Sequence, residues 1–391
     1  KLMRFGLELP PQWRVYGAFL LYSFCMGSLF PRLPDLQHAM GVAEGALGLA
    51  LIGTAVGTLI SLTFAGPLLE RIGYRRAILV LIPLLSVFYA VAVLAPAPAF
   101  LFIMLIPVGL CIGAIEIIVN LEADRTEHAI GHRIMNRAHG FWSLGFFSSG
   151  LLGALIAQMG IDFRTHLWLM IPVIAVGTLL VLGRFDPAPH RTGASTDPAP
   201  RFARPTLAIF VLVAVTMSAM ILEGAGADWS AIYMRKEFAV SPFISGFAVA
   251  IGALTQALTR LVADHFVERF SPTAVARTLL SILGVGAVLV FFASAPWAAL
   301  LGFALMGVGT SAIFPLAMSA AAQRTDRHSA VNVAALAQIS FVAFLLGPPL
   351  LGFVAEHFGI RWSFGIGIPL VIVSLLTAGA LGKKPIPHEV E

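Results

Sequence analysis

The chain has 391 residues, of which 58% are hydrophobic and only 12% are charged. Soluble domains carry about 25% charged residues, so this composition excludes an ordinary soluble enzyme. The two cysteines, Cys25 and Cys111, lie in different apolar runs and do not form a disulfide framework. The net charge of +5 is compatible with a nucleic-acid partner or with an orientation signal for a membrane protein, and the positions of the basic residues distinguish the two.

Twelve apolar runs follow one another along the chain, each long enough to cross a bilayer as a helix of about 20 residues. We therefore predict an all-α polytopic membrane protein with helices at residues 13–38, 45–69, 76–95, 99–122, 135–159, 166–184, 206–233, 243–263, 273–293, 297–320, 330–356 and 362–381. The longest polar stretch, 185–205, is rich in Pro, Ser, Thr and Gly and is typical of a flexible linker. It divides the chain into two predicted six-helix domains, 1–184 and 206–391.

Most of the 25 Lys and Arg residues fall near the two chain ends, in alternate loops and in the linker. Under the positive-inside rule this distribution places both termini and the linker in the cytoplasm. The basic charge is then an orientation signal, and no nucleic-acid partner is implied. We expect a monomer in the bacterial cytoplasmic (inner) membrane, surrounded by lipid bilayer and inserted by its own first apolar run.

The helix predicted at 206–233 carries two carboxylates, Glu223 and Asp228, in the stretch ILEGAGADWSAIY. A carboxylate in hydrocarbon is costly unless it is paired, hydrated or protonated, so such residues commonly mark function. Five residues correspond to about 140° of helix rotation, and the two need not share one site. We interpret Glu223 as a candidate proton carrier or solute ligand. The alternatives are a polar lock between helices for Glu223 and an interfacial cap for Asp228.

Other polar residues lie in predicted helices and are candidates for solute or proton binding. Glu116 and Asn120 are one turn apart on one helix face, and the alternative for Glu116 is pairing with Arg133 or Arg137. A second group of polar and aromatic residues is expected to make hydrogen bonds to a polar solute or to stack on it. The alternative is that these residues have structural roles. They are His139, Trp142, Gln256, Asn332 and Gln338.

The two halves of the chain match each other at an offset of about 200 residues, as parallel transporter repeats do. Leu152-Gly153 corresponds to Leu351-Gly352, and Gly109 corresponds to Gly307. Each match is weak alone, but the common offset on either side of a linker indicates an internal duplication.

The loop after the second predicted helix reads GPLLERIGYRR over residues 66–76. It resembles the inner-loop signature G-x-L-a-D-R-x-G-R-R of the major facilitator superfamily (MFS), with glutamate in place of the usual aspartate. A degenerate second copy begins at Arg260. The signature residues are Gly66, Glu70, Arg71, Gly73, Arg75 and Arg76.

The resemblance implies two pseudo-symmetric six-helix halves around a central cavity, alternating access, and no catalytic residue, cofactor or metal. It also implies that Glu70 pairs with the arginines or with a facing helix in one conformation. Helices 1 and 7 of this fold face each other on the outer side, so Arg32 and Asp228, assisted by Asp35, are a predicted outer gate. The alternative is that Arg32 reaches lipid headgroups.

Several stretches resemble the YbjJ-like branch of the superfamily, among them Phe30 to Pro34 and His139 to Gly145. This resemblance implies a sugar or a related small polar metabolite as solute. The stretch from Ser149 to Ala154 lacks the proline of the drug-exporter element, which weakens an efflux interpretation. We predict a secondary active transporter coupled to protons. The alternatives are a proton-coupled drug or metabolite efflux antiporter, an uncoupled facilitator and a membrane-embedded enzyme, for which no HExxH, GxSxG or Walker motif is present.

Overall fold

The computed structural model describes residues 5–190, 202–327 and 329–382. Helices connected by short turns make up the described part of the chain, which contains no strand. Residues 191–201 of the predicted linker and both chain ends, with Lys383 and Lys384, lie outside the described residues. The sidedness of the termini therefore stays a prediction.

The chain divides into two compact units. Unit 1 comprises Lys1–Ala194 and Ser241–Ala250, and unit 2 comprises Ser195–Val240 and Ile251–Glu391. Residues 241–250 are grouped with unit 1, although the helix Pro242–Arg269, to which residues 242–250 belong, continues into unit 2. The division at the linker stays a prediction.

The helices of unit 1 follow one another in the order α1 Pro11–Gly27, a 3-10 turn Phe30–Arg32, α2 Leu33–Met40, α3 Glu44–Phe64, α4 Gly66–Ile72, α5 Tyr74–Ala92, α6 Pro98–Ile130, α7 Met135–Gln158 and α8 Phe163–Leu182. The remaining helices are α9 Leu207–Phe238, α10 Pro242–Arg269, α11 Pro272–Phe292, α12 Pro296–Thr310, α13 Ile313–Ala322, α14 Ser329–Phe358, α15 Trp362–Gly365 and α16 Gly367–Thr377, followed by a 3-10 turn Ala378–Leu381.

Eleven segments of the described residues are long and apolar enough to cross a membrane, where α12 with α13 and α15 to the last turn count as one segment each. The first predicted helix, 13–38, is not continuous. It ends at Gly27 after 17 residues and resumes at Leu33. Pro31 and Pro34 cannot donate backbone hydrogen bonds, and Ser28 turns its hydroxyl back to the Cys25 carbonyl at 2.8 Å.

A second interruption divides the predicted helix 297–320 at residues 311–312. Pro315 has no N–H for the carbonyl of Ser311, four residues earlier. Instead, Nε of Arg260 donates to that carbonyl at 2.9 Å. The break thus brings a cationic side chain of α10 to the junction of α12 and α13.

Small residues hold two helix pairs close together, one pair in each unit. In unit 1, Thr58 of α3 donates to the carbonyl of Gly109 of α6 at 3.2 Å. In unit 2, Thr255 of α10 donates to the carbonyl of Ala304 of α12 at 2.7 Å, beside Gly307. Close backbone approach at small residues is typical of membrane helices. The same arrangement recurs at the glycines that the sequence repeat aligned.

Candidate functional site

Glu116 of α6 is the centre of a hydrogen-bonded cluster in unit 1. The hydroxyl of Tyr22, on α1, donates to Oε1 of Glu116, and Nδ2 of Asn120 donates to Oε2 at 2.9 Å. In the described part of the chain Glu116 makes no ion pair, and the expected alternatives Arg133 and Arg137 are exposed. A membrane-embedded carboxylate is therefore held by neutral donors alone.

Aromatic side chains surround this cluster. The indole of Trp142 lies next to Tyr22 and stacks on Phe146, with ring centroids 5.5 Å apart. The imidazole of His139 meets the ring of Phe19 edge-on at 5.1 Å. The predicted residues Glu116, Asn120, His139 and Trp142 are thus neighbours along α1, α6 and α7. Together they offer a carboxyl, an amide and ring faces, which are the groups that bind a polar solute with an apolar face.

Glu223 of α9 is the centre of a second cluster, in unit 2. Its Oε1 accepts a hydrogen bond of 3.0 Å from Nε2 of Gln256, and the same nitrogen is 3.2 Å from the hydroxyl of Thr310. The charge of Arg260, one turn after Gln256 on α10, also interacts with Glu223. Glu223 and Gln256 were both candidates, and the structure joins them.

Sequence reasoning missed Tyr22, Thr310 and the role of Arg260. Tyr22 is one of several aromatic residues in an apolar helix, and no periodicity distinguishes it. The sequence assigns Arg260 to a degenerate copy of the loop motif, whereas its guanidinium binds the Ser311 carbonyl inside unit 2. The proline four residues after Ser311 was the available signal, because it leaves that carbonyl without its helical partner.

Asp228 lies five residues after Glu223 on α9 but has different surroundings. Its side chain is partly exposed and has no hydrogen bond or ion pair with any described residue. The neighbouring Trp229 is fully buried. Among the described residues Asp228 is therefore a carboxylate without a partner in a membrane-spanning helix, which is costly unless water or another ligand reaches it.

Arg32 is buried, with 3% exposure, and its partners lie in unit 1. Its Nε donates to Oδ2 of Asp35 at 2.8 Å, and its Nη2 donates to the carbonyl of Ile161 at 2.6 Å. Nη1 is 3.4 Å from Nδ1 of His166. A side chain held in this way does not extend to lipid headgroups. The gate between Arg32 and Asp228 stays a prediction.

Asn332 and Gln338 make hydrogen bonds with residues outside the Glu223 cluster. The Oδ1 of Asn332 accepts hydrogen bonds from Arg327 at 2.8 and 3.0 Å, and its Nδ2 donates to Asp326 at 3.0 Å. The Oε1 of Gln338 accepts from the backbone N–H of Ala203 at 3.1 Å. These two amides of α14 therefore hold the turn before α14 and the segment before α9.

Asp326, in this turn, lies outside the membrane-spanning segments. Hydrogen bonds from Arg324, and then from Asn332, hold the pKa of Asp326 below its usual value. The turn is thus organised around an ionised carboxylate.

The inner-loop signature occupies α4 and the start of α5. Gly73 has φ 86°, a conformation that favours glycine and sets the angle between the two helices. Arg75 donates to the carbonyls of Gly183 and Phe185, so it holds the end of α8. Glu70 is exposed and makes no side-chain ion pair in the described part of the chain. The expected Glu70 pair is not formed in this structure.

Comparison with known families decides the classification. The family model described as Major Facilitator Superfamily matches residues 15–226 and 211–390, which together span nearly the whole chain. The chain belongs to the major facilitator superfamily. The superfamily predicted from the signature is confirmed, and the protein is an MFS transporter rather than an enzyme. The YbjJ-like branch stays a prediction.

Relatives and solved structures agree with this classification. An uncharacterised transporter, y4wD of Sinorhizobium fredii, is 29% identical over 374 residues, covering 94% of this chain and 98% of the relative. A variant of the nucleoside transporter NupG has a TM-score of 0.76 at 12% identity, covering 96% and 100% of the two chains. A variant of the E. coli fucose:proton symporter FucP has a TM-score of 0.64 at 16% identity, covering 96% and 99%. At these identities the structures show the fold alone, and they confirm the predicted all-α MFS fold.

Proposed function

We propose that this MFS transporter couples the uptake of a small polar solute, of the sugar or nucleoside class, to the movement of protons. The observation that carries the proposal is the Glu116 cluster, in which a carboxyl inside a membrane-spanning helix is bonded, among the described residues, to Tyr22 and Asn120 only. A carboxyl with neutral partners exchanges a proton without breaking an ion pair. Such groups mark proton and substrate pathways in transporters.

The surroundings of Glu116 support the solute class. A sugar or a nucleoside has hydroxyl groups on a compact body with an apolar face. The hydroxyls suit the Glu116 carboxyl and the Asn120 amide, and the apolar face suits the stacked rings of Trp142 and Phe146. The fold neighbours NupG and FucP, whose names give a nucleoside and fucose with protons, agree with this class.

The Glu223 cluster supports a second coupling group. Its carboxylate is bonded to a neutral amide, but the cation Arg260 acts on it as well. We therefore infer that Glu116 releases and takes up the coupled proton, and that Glu223 contributes through its interaction with Gln256 and Arg260. Proton-driven efflux by antiport uses the same groups in the opposite direction, and the direction of flux distinguishes the two.

The test begins with a thermal-shift screen of purified protein against pentoses, hexoses and nucleosides. Radiolabelled compounds that raise Tm are then followed into proteoliposomes, with and without an imposed pH gradient. We expect uptake to be several-fold faster when the outside is acidic. Equal rates with and without the gradient, for a compound that is transported, contradict proton coupling, and gradient-driven expulsion supports antiport instead.

Glu116→Gln and Glu223→Gln assign the coupling groups. We expect Glu116→Gln to abolish gradient-driven accumulation while solute counterflow continues, because the amide binds solute but carries no proton. The matched control is Glu127→Gln, on the same helix, since Glu127 accepts hydrogen bonds from the backbone N–H groups of Ile134 and Met135. Accumulation that survives Glu116→Gln contradicts the assignment.

A further inference from the structure

A long apolar groove runs along unit 1 between α3, α4, α5 and α6. Its volume is about 640 Å³, within the range of ligand-binding cavities. Leu68 and Val80, which line it, are 57% and 59% exposed. In a membrane protein such exposed apolar side chains face lipid, so the groove opens to the bilayer.

One end of the groove is basic. Arg76, at the start of α5, is the one charged residue among those that line it. Arg76 is exposed, as is Arg71 on α4, and neither has a side-chain hydrogen bond or ion pair with a described residue. The loop 66–76 contains one carboxylate, Glu70, and three arginines. It therefore carries a net positive charge. The groove therefore has an apolar length and a cationic end.

The groove extends from Arg76 to Phe88 along α5. Twelve residues of helix rise about 18 Å, which is close to half of the roughly 30 Å hydrocarbon core of a bilayer. The length of the groove is thus that of one leaflet. Its basic end belongs to the side that the positive-inside rule assigns to the cytoplasm.

A second groove, in unit 2, also combines an arginine with apolar residues along one helix. It has a volume of about 450 Å³ and is lined by Arg277, Ser281 and Val285 of α11, spaced four residues apart. Arg76, Val80 and Leu84 have this spacing along α5. Arg277 is also exposed and without a side-chain ion pair in the described part of the chain. The recurrence in the second repeat is independent of the first observation.

We propose that the unit 1 groove binds an anionic phospholipid, with the phosphate at Arg76 and one acyl chain along Val80, Leu84 and Phe88. Arginine binds phosphate oxygens through two parallel N–H groups. Basic pockets between membrane helices on the cytoplasmic side bind anionic headgroups. A free phosphate uses only the basic end, whereas a phospholipid fills the apolar length as well.

Native mass spectrometry of the full chain in detergent tests the proposal. Dioleoylphosphatidylglycerol and dioleoylphosphatidylcholine are titrated in turn, in an Arg277→Gln background so that the second groove does not mask the first. We expect phosphatidylglycerol to bind at least fivefold more tightly than phosphatidylcholine. Equal affinities for the two lipids overturn the proposal.

Two variants test the two ends of the site. Arg76→Gln is expected to weaken phosphatidylglycerol binding about fivefold, the factor for one arginine at an anionic surface, and to weaken phosphatidylcholine binding less, because the choline cation offsets the charge of its phosphate. Arg164→Gln removes the same charge outside the groove, where the guanidinium lies over Phe163, and is expected to leave both affinities unchanged. Equal losses in the two variants overturn the assignment of Arg76.

Ala65→Trp keeps every charge and fills the groove, which Ala65 lines. We expect it to weaken the binding of both lipids. Glycerol phosphate, which has the headgroup without chains, is expected not to displace bound phosphatidylglycerol. Unchanged lipid affinity in Ala65→Trp, or displacement by glycerol phosphate, shows that no acyl chain occupies the groove.

Discussion

Gln256 and Glu223 are joined by a hydrogen bond of 3.0 Å between the amide Nε2 of α10 and the carboxylate Oε1 of α9. The same nitrogen reaches the hydroxyl of Thr310 on α12 at 3.2 Å. One amide group therefore links three membrane-spanning helices of unit 2. Gln256 is buried, so water does not replace these contacts when the amide is lost.

Gln256→Leu is expected to destabilise the protein, because it leaves Glu223 without its neutral donor. Hydrogen bonds between membrane helices contribute about 0.6–1.7 kcal/mol each, and we expect a loss at the upper end of this range in the unfolding free energy. Thr310→Val, which keeps the shape and removes one contact, is the matched control with a smaller loss. Equal stability of Gln256→Leu and wild type contradicts the role of the amide as a link.

Arg32→Lys is expected to destabilise unit 1 by about 2 kcal/mol or more, because a buried cation loses partners that its fork-shaped group had satisfied. Lysine cannot bind Asp35 and the Ile161 carbonyl with the same planar geometry. Arg164→Lys is the control, since Arg164 makes no side-chain hydrogen bond or ion pair in the described residues. Thermal unfolding in detergent measures both, and similar shifts in the two variants contradict the prediction.

Gly109→Ala tests the close packing of α3 against α6. A Cβ at residue 109 would overlap the carbonyl oxygen of Thr54, which belongs to the backbone and cannot rotate away. We expect a loss of about 1–3 kcal/mol, typical of overpacking. Gly224→Ala is the control because a Cβ there meets no atom within 4 Å, and it is expected to be neutral or stabilising. Unfolding midpoints that fall equally in both variants contradict the prediction that Gly109 is required for the close approach of α3 and α6.

We predict that the stability of the turn before α14 depends on pH through Asp326. Hydrogen bonds from Arg324 and Asn332 lower the pKa of Asp326 below its usual value of 3.8. A group whose pKa is lower in the folded state contributes stability above the unfolded value, and this stability is lost as the pH falls through the folded value. The turn should therefore open below about pH 3.8.

Hydrogen exchange of the peptide that contains Asp326 and Asn332, corrected for the intrinsic rate, measures this opening. Asp326→Asn removes the titrating group and is expected to abolish the added acid sensitivity of the peptide. Asp162→Asn, at the N-terminal cap of α8 in unit 1, is the control and should leave the peptide unchanged. Acid sensitivity that persists in Asp326→Asn assigns it to another group.

The membrane class, the MFS fold and the transporter function were predictable from the sequence. Apolar runs of about 20 residues identify spanning helices by length alone, since a bilayer core has a fixed thickness. The signature at residues 66–76 identified the superfamily. The breaks near Ser28 and at residues 311–312 were less predictable, because an apolar run continues through them and the nearby prolines do not by themselves fix where a membrane helix ends.

Glu116, Asn120, Glu223 and Gln256 were all identified as site candidates by their polarity in apolar segments. Polarity in hydrocarbon is costly, and this cost is visible in the composition of the segment itself. Which residues these candidates bond to could not be predicted from the sequence. The Glu116 partner Tyr22 is 94 positions away, and Gln256 is 33 positions from Glu223.

The sequence by itself determined that the chain crosses a membrane many times, which helices carry carboxylates, and which superfamily it belongs to. Only the tertiary structure decided that Glu116 is held by neutral donors, that Arg260 interacts with Glu223, and that Asp228 has no partner among the described residues. The physical reason is that spanning length and polarity are properties of each segment, whereas a hydrogen bond depends on how helices distant in sequence pack and rotate against one another.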